Sequence, residues 1–268
     1  MGVVREMNET VTIVVIVLIA VLLSLLGLAL VRRMVPIDEL EQHTDVAGYV
    51  YAVIGVIYAV VLALVVIAAW EEYRDAREAV ANEATAVLNL ARAANGWPGG
   101  DRDEVESALV AYARRVVDVE WPAMAQGDFG PTADTVTVNQ LWQALNQADA
   151  SAAAKSASYE VALQQLDQLG ESRRNRLLLG QEGLPTSMAV ILVIGAVVTV
   201  GFAYLFAVDN GRLHALMITS LAVLVVLLLL LQFQLGLPFQ GVSAIEPTAM
   251  KLVLAEIDSN AGIPGMSS

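Results

Sequence analysis

The sequence predicts an all-α integral membrane protein with four transmembrane helices and a helical domain between the second and the third. Three observations carry this. Of 268 residues, 57% are hydrophobic and 16% charged, with a mean hydropathy of +0.62. Four apolar blocks, Val11 to Val31, Ala47 to Trp70, Thr186 to Val208 and Leu213 to Gly236, each hold the roughly 20 residues needed to cross a bilayer core of about 30 Å. The polar stretch between the second and third blocks, Glu71 to Leu184, has apolar residues at helical steps of three and four.

Composition excludes several classes of function. A net charge of −13 argues against nucleic acid, which needs a basic face to neutralise phosphate. Much of the acid excess sits in the central region, with 10 Lys plus Arg against 18 Asp plus Glu, and reads as a solvated surface. With no cysteine there is no disulfide and no thiolate chemistry. Two histidines, His43 and His214, are too few for a multi-histidine metal site, so neither a metal nor a cofactor is expected. The central region has no histidine, phosphate loop or nucleophile elbow. Its paired carboxylates, such as Glu71 with Glu72 and Asp103 with Glu104, read as solvent-facing, so no enzyme is expected. The four spans contain no Asp, Glu, Lys or Arg, which counts against ion-coupled transport.

Taken in order, residues 1–46 hold the first span and an outer loop. The first span lacks a cleavage motif and reads as retained; Ser24 and Gly27 are small enough for close helix contact. Pro36 should end it. The segment RRMVPIDELEQHTD then reads as a loop with two Arg at the membrane edge and an acidic rim of Asp38, Glu39, Glu41 and Asp45. Such a rim at a pore mouth would concentrate cations.

The second span, residues 47–70, continues into the charged sequence EEYRDAREAVANEATAVLNLARAAN without losing its helical period. His43 to Ala94 is therefore expected to be one helix, about 75 Å long at 1.5 Å per residue, around which the rest is organised. The span carries two stripes. Gly48, Ala52, Gly55, Ala59 and Ala63 form a small-residue stripe suited to close helix packing. Tyr51, Tyr58, Leu62 and Val65 form a bulkier one. One stripe should meet helices of the same subunit and the other a symmetry axis; periodicity does not say which. Trp70 and Tyr73 stand where an interfacial aromatic belt belongs.

Residues 71–185 form the central helical domain. After Asn95 the sequence GWPGGDRD is a turn. A helix from Glu104 to Glu120 follows, with Val105, Ala108, Leu109, Tyr112 and Val116 on one face, broken by Pro122. A further helix from about Val138 to Leu169, with Leu141, Leu145, Tyr159, Leu163 and Leu166, divides in two at a hinge near Ser151. The third and fourth spans, residues 186–236, make a hairpin through the tight turn DNGR. In residues 237–268 a short amphipathic helix runs from about Pro247 to Ile257.

Basic residues near the membrane set the orientation. Arg5, Arg74, Arg77, Arg173, Arg174, Arg176 and Lys251 lie on one side; Arg32, Arg33 and Arg212 lie on the other. Both termini and the central domain are therefore expected in the cytoplasm.

His43, Gly48, Gly55, Tyr58, Trp70, Tyr73 and Glu83, then Glu120-Trp121-Pro122, Arg173 with Arg176, Leu184-Pro185 and Pro238-Phe239 with Gly241 follow an order and spacing that resembles the bacterial bestrophin-like family of unknown function, over residues 5 to 257. The resemblance implies a homo-oligomer, with a pentamer as the working number. It also implies an ion channel whose pore is lined by the second span and whose partners are the bilayer, inorganic ions and other copies of itself. Carried over, Tyr51, Gly55, Tyr58, Leu62 and Val65 would line the pore, and Gly48, Ala52, Ala59 and Ala63 would pack helices. The acidic outer loop leaves the permeant ion open, because bestrophins are best known for passing anions. Glu83, Glu120, Arg173 and Arg176 read as structural charge pairs, since a charge in a helical interior requires a partner. The rival reading is a non-conducting scaffold or sensor in which the long helix carries a signal between membrane and cytoplasm.

Overall fold

The computed structural model describes residues 2–130, 136–148, 157–181 and 183–261, and every regular element among them is helical. The chain folds as two compact units. The first comprises Met1–Glu71 and Leu184–Gly236, the second Glu72–Gly183 and Leu237–Ser268.

The first unit contains α1 (Gly2–Met34), the first part of α2 (Ile37–Ala94), α7 (Thr186–Ala203) and α8 (Gly211–Leu235). All four helices have the length and apolar character of membrane spans. Helices α1, α7 and α8 pack on one another, and a small residue permits a close approach. The Tyr204 ring lies against Gly27 of α1, where a Cβ would sit 2.8 Å from Cε2, and its hydroxyl donates to Ser24 Oγ at 3.4 Å. Leu28, Ala203 and Ile218 are buried beside it. Leu22, Leu26, Ile191, Val197, Leu216 and Leu224 point outwards, as expected of helices solvated by lipid or by other subunits.

Two connections in this unit differ from the sequence expectation. The outer loop is far shorter, because α2 starts at Ile37. Pro36 ends α1 but also has the φ of a helix start, and the acidic sequence after it suits a helix N-terminus. Glu41 and Asp45 are exposed on this helical turn, while the side chains of Asp38, Glu39 and His43 lie outside the description. The link between α7 and α8 is longer than a tight turn. Helix α7 stops at Ala203, and the aromatic stretch up to Asn210 folds back on the bundle. Arg32 Nη2 donates to Val208 O at 2.6 Å, and Asn210 caps α8 by accepting from the backbone of Arg212 and Leu213.

The second unit holds the rest of α2 with α3 (Gly99–Arg115), a π-helical turn (Val116–Glu120), α4 (Trp121–Met124), α5 (Val136–Gln147), α6 (Ala157–Gln181) and α9 (Thr248–Ala261). Its core gathers Val80, Val87 and Leu90 with Val105, Leu109, Leu141, Leu145, Leu166, Leu169 and Met250. The faces expected on α3, α5 and α6 point into it, with Ala108, Tyr159 and Leu163 half-buried at its edge. Helices α5 and α6 are separate, α6 running on to Gln181, and the expected hinge near Ser151 falls outside the described residues.

Pro122 does not end the helical run. The π-turn precedes it, with the Trp121 N–H donating to Val116 O, and helix resumes to Met124. A proline has no N–H for the ladder, so the wider turn absorbs the gap. The extra residue also buries both Val116 and Glu120.

Candidate functional site

Helix α2 is the element on which the functional residues converge. At 100° per residue, Ala47, Tyr51, Ile54, Tyr58, Leu62, Val65 and Ala69 share an arc of about 80°. All are buried or half-buried, with Leu62 and Ala69 the most enclosed. Tyr51 stacks on Phe202 at 6.1 Å between centroids and meets Phe206 edge-on at 5.3 Å. Gly48 lies beside Phe206. The Tyr58 ring rests on Gly195 of α7. The bulky stripe expected at a pore constriction therefore turns to the chain's own α7 and its following turn. Gly55, at the edge of this arc, has open space around its α-carbon.

The small-residue stripe is divided. Gly48 is half-buried, whereas Ala52, Ala59 and Ala63 are exposed. With them Val53, Val56, Ile57, Val60, Leu64 and Ile67 make the outward side of α2 a continuous apolar surface. The two stripes were legible in the sequence; which of them the subunit covers was not. That depended on finding glycine and aromatics on α7 and beyond it.

In the second unit the inward side of α2 carries Glu83, buried to 1% exposure. Its carboxylate accepts from Arg176 of α6 through Nε at 2.6 Å and Nη2 at 3.0 Å. The Tyr112 hydroxyl of α3 donates to the same group at 2.5 Å. Arg176 Nη2 also donates to Glu120 Oε2 at 2.7 Å, and Arg173 Nη2 to Glu120 Oε1 at 2.8 Å. The Trp121 ring lies 5.1 Å from the guanidinium carbon of Arg176, while its indole N–H donates to Ile245 O at 2.9 Å. Two carboxylates and two guanidiniums thus balance in a site closed to solvent, each with bonds to compensate lost hydration.

Burial pushes the Tyr112 hydroxyl well above its ordinary pKa, with the Glu83 carboxylate adding to the effect. For Arg176, burial opposes the charge but the Glu83 carboxylate outweighs it, so the guanidinium is held above its ordinary value. The Glu83, Glu120, Arg173 and Arg176 set comes together here. Tyr112 and Trp121 complete it, and neither could be assigned from sequence beyond an apolar face and a helix end.

The first unit contrasts with this. Tyr58 Oη, Thr199 Oγ1, His214 Nδ1 and both amide atoms of Gln232 are buried without a hydrogen-bond partner among the described residues. Gln232, near the end of α8, is fully enclosed. No group of three or more His, Cys, Asp or Glu side chains is placed to hold a metal among the described residues.

Known proteins share this architecture. A sequence model of the bestrophin-like domain matches residues 18–250. No curated protein matches the chain. Crystal structures of two variants of a bacterial bestrophin homologue from Klebsiella pneumoniae are similar in fold. One, at 17% identity, covers 94% of this chain and 100% of its own, with a TM-score of 0.73. The other, at 16% identity, covers 94% and 99%, with a TM-score of 0.70. A third structure, described as a membrane protein variant, is 17% identical over 93% and 98%, with a TM-score of 0.72.

Proposed function

We propose that this chain, which belongs to the bestrophin-like family, forms a homo-oligomeric ion channel whose pore is lined by the outward face of α2. The observation that carries the reading is the division of α2 into a covered and an uncovered side. Its bulky stripe is occupied by α7, leaving Val53, Val56, Val60, Leu64 and Ile67 as the apolar surface available to an axis. An apolar constriction of this kind gates by dewetting and needs no charged wall. Ala52, Ala59 and Ala63 flank that surface, where neighbouring copies would approach closely. We take the ring to be a pentamer in the bacterial inner membrane. The distribution of Arg and Lys supports a cytoplasmic second unit and cytoplasmic termini. The acid excess, 28 Asp plus Glu against 15 Lys plus Arg, supports a preference for cations.

The absence of native cysteine makes the test clean. Val60→Cys and Tyr58→Cys are recorded in planar bilayers under a salt gradient, before and after a charged, membrane-impermeant thiol reagent, with the oligomer mass measured on the same preparation. The expected result is a current changed by modification at position 60 and unaffected at position 58. Modification at 58 with none at 60 would return the pore to the bulky stripe.

The scaffold or sensor reading has one observation in its favour. The buried ion pairs fix α2 to α3 and α6 of the second unit, as rigid signal transmission along that helix would require. Well-formed oligomers that stay silent across voltage, pH and calcium would favour it.

A further inference from the structure

Helices α1, α7 and α8 pack directly on one another, and α2 meets α7 and its following turn through two rings: Tyr51 at Phe202 and Phe206, and Tyr58 at Gly195. The second of these contacts is the closer. A Cβ at residue 195 would lie 2.5 Å from Tyr58 Cδ2 and 2.7 Å from Cε2. Carbon atoms in ordinary contact stand about 3.5–4.0 Å apart, so one methyl group there demands about 1 Å of movement.

Gly195 is not required by its backbone. It sits in mid-helix, and the glycines with positive φ among the described residues are Gly127, Gly183 and Gly241. What the position demands is space. The atoms a Cβ there would meet, Cδ2 and Cε2, lie in the ring between the α2 backbone and an enclosed hydroxyl, not at a flexible tip. The displacement therefore falls on α2 itself. Its direction is fixed by the helix: Val56, Val60 and Ile67 lie about 160° to 180° from Tyr58 at 100° per residue. Movement away from α7 is movement of that face outwards.

We infer that Gly195 is a positioning residue that sets the bore of the channel, by letting Tyr58 seat on α7 and so fixing how far α2 stands from its own subunit. This rests on the pore reading above. In a ring of copies a methyl group at 195 pushes every α2 inwards at once.

The experiment is unitary conductance of Gly195→Ala, of Tyr58→Ala, and of the two combined, with oligomer mass confirmed for each. Gly195→Ala is expected to lower conductance severalfold. The combination should restore it to wild type or above, because the ring that met the methyl group is gone. An intact Gly195→Ala oligomer with wild-type conductance, or a loss that Tyr58→Ala does not relieve, would overturn the inference. If Gly195→Ala fails to assemble, Tyr58→Ala alone decides: α2 settles towards α7 and conductance rises, and unchanged conductance rejects the proposal. The Val60→Cys modification separates the two levels. A current that responds at position 60 but not to Gly195→Ala keeps the pore and removes this inference; a current indifferent to both removes both.

Discussion

The two parts of α2 are buried by opposite means. In the first unit Tyr51, Tyr58, Leu62 and Ala69 fill the contact with apolar surface, and the Tyr58 hydroxyl is enclosed without a partner. In the second unit Ala76, Val80, Val87 and Leu90 surround a carboxylate whose two oxygens are saturated by Arg176 and Tyr112. Shape alone determines the first contact, so a ring fits wherever a glycine makes room. The second is determined by direction, since a bidentate guanidinium accepts one orientation of its carboxylate. The difference teaches that one helix is held by shape in the first unit and by direction in the second.

The largest effect should come from breaking the directional contact. Glu83→Ala removes three hydrogen bonds and leaves Arg176, fully buried, with excess charge beside Glu120. Stranding one member of a buried pair costs about 3–5 kcal/mol. Chemical unfolding of the full chain, followed by tryptophan fluorescence, should shift accordingly, since Trp121 stacks on Arg176. Replacing both partners, as Glu83→Leu with Arg176→Met, should recover most of the loss. A Glu83→Ala variant as stable as wild type would show that the second unit holds α2 by packing alone.

How much of this could be read beforehand follows the same division. The four spans, the long helix and the apolar faces of α3, α5 and α6 followed from period and composition, because burial of apolar area is non-directional and leaves a repeat in the sequence. The charge set Glu83, Glu120, Arg173 and Arg176 was legible as a need for partners. Tyr112 was not, because a tyrosine in an apolar stripe looks the same whether or not its hydroxyl is used. The π-turn was missed since Pro122 usually ends a helix, and nothing local signals that a wider turn will absorb it. Which side of α2 the subunit covers could not be read in advance, because it depends on Gly195, more than a hundred residues away.

A middle-sized effect separates the two units by pH. The Tyr112 pKa is raised above its ordinary value of 10.0, so above that pH an unfolded chain releases this proton while the folded one retains it. Fewer protons bound in the unfolded state means stability falls as pH rises. The contribution is complete below pH 10.0 and is lost above it, at about 1.4 kcal/mol per pH unit until the folded group also ionises. Tyr112→Phe should flatten this alkaline slope, at the cost of one bond to Glu83. A slope unchanged in the variant would assign the alkaline loss to other groups.

The smallest effect has the opposite sign. Thr199 is 4% exposed on α7, one helical turn beyond Gly195, and its hydroxyl has no partner among the described residues. Other hydroxyls in this chain take the carbonyl four residues back, as Thr44 does with Leu40, Thr85 with Ala81 and Ser220 with Leu216. Thr199 does not, so its burial costs desolvation without return. Thr199→Val keeps the branched shape and removes the polar atom, and should stabilise the protein by about 1 kcal/mol in the same unfolding measurement. Removing a polar group then strengthens one unit as surely as it weakens the other. If Thr199→Val destabilises instead, the protein in its membrane supplies this hydroxyl with a partner, and the first unit has a directional contact of its own.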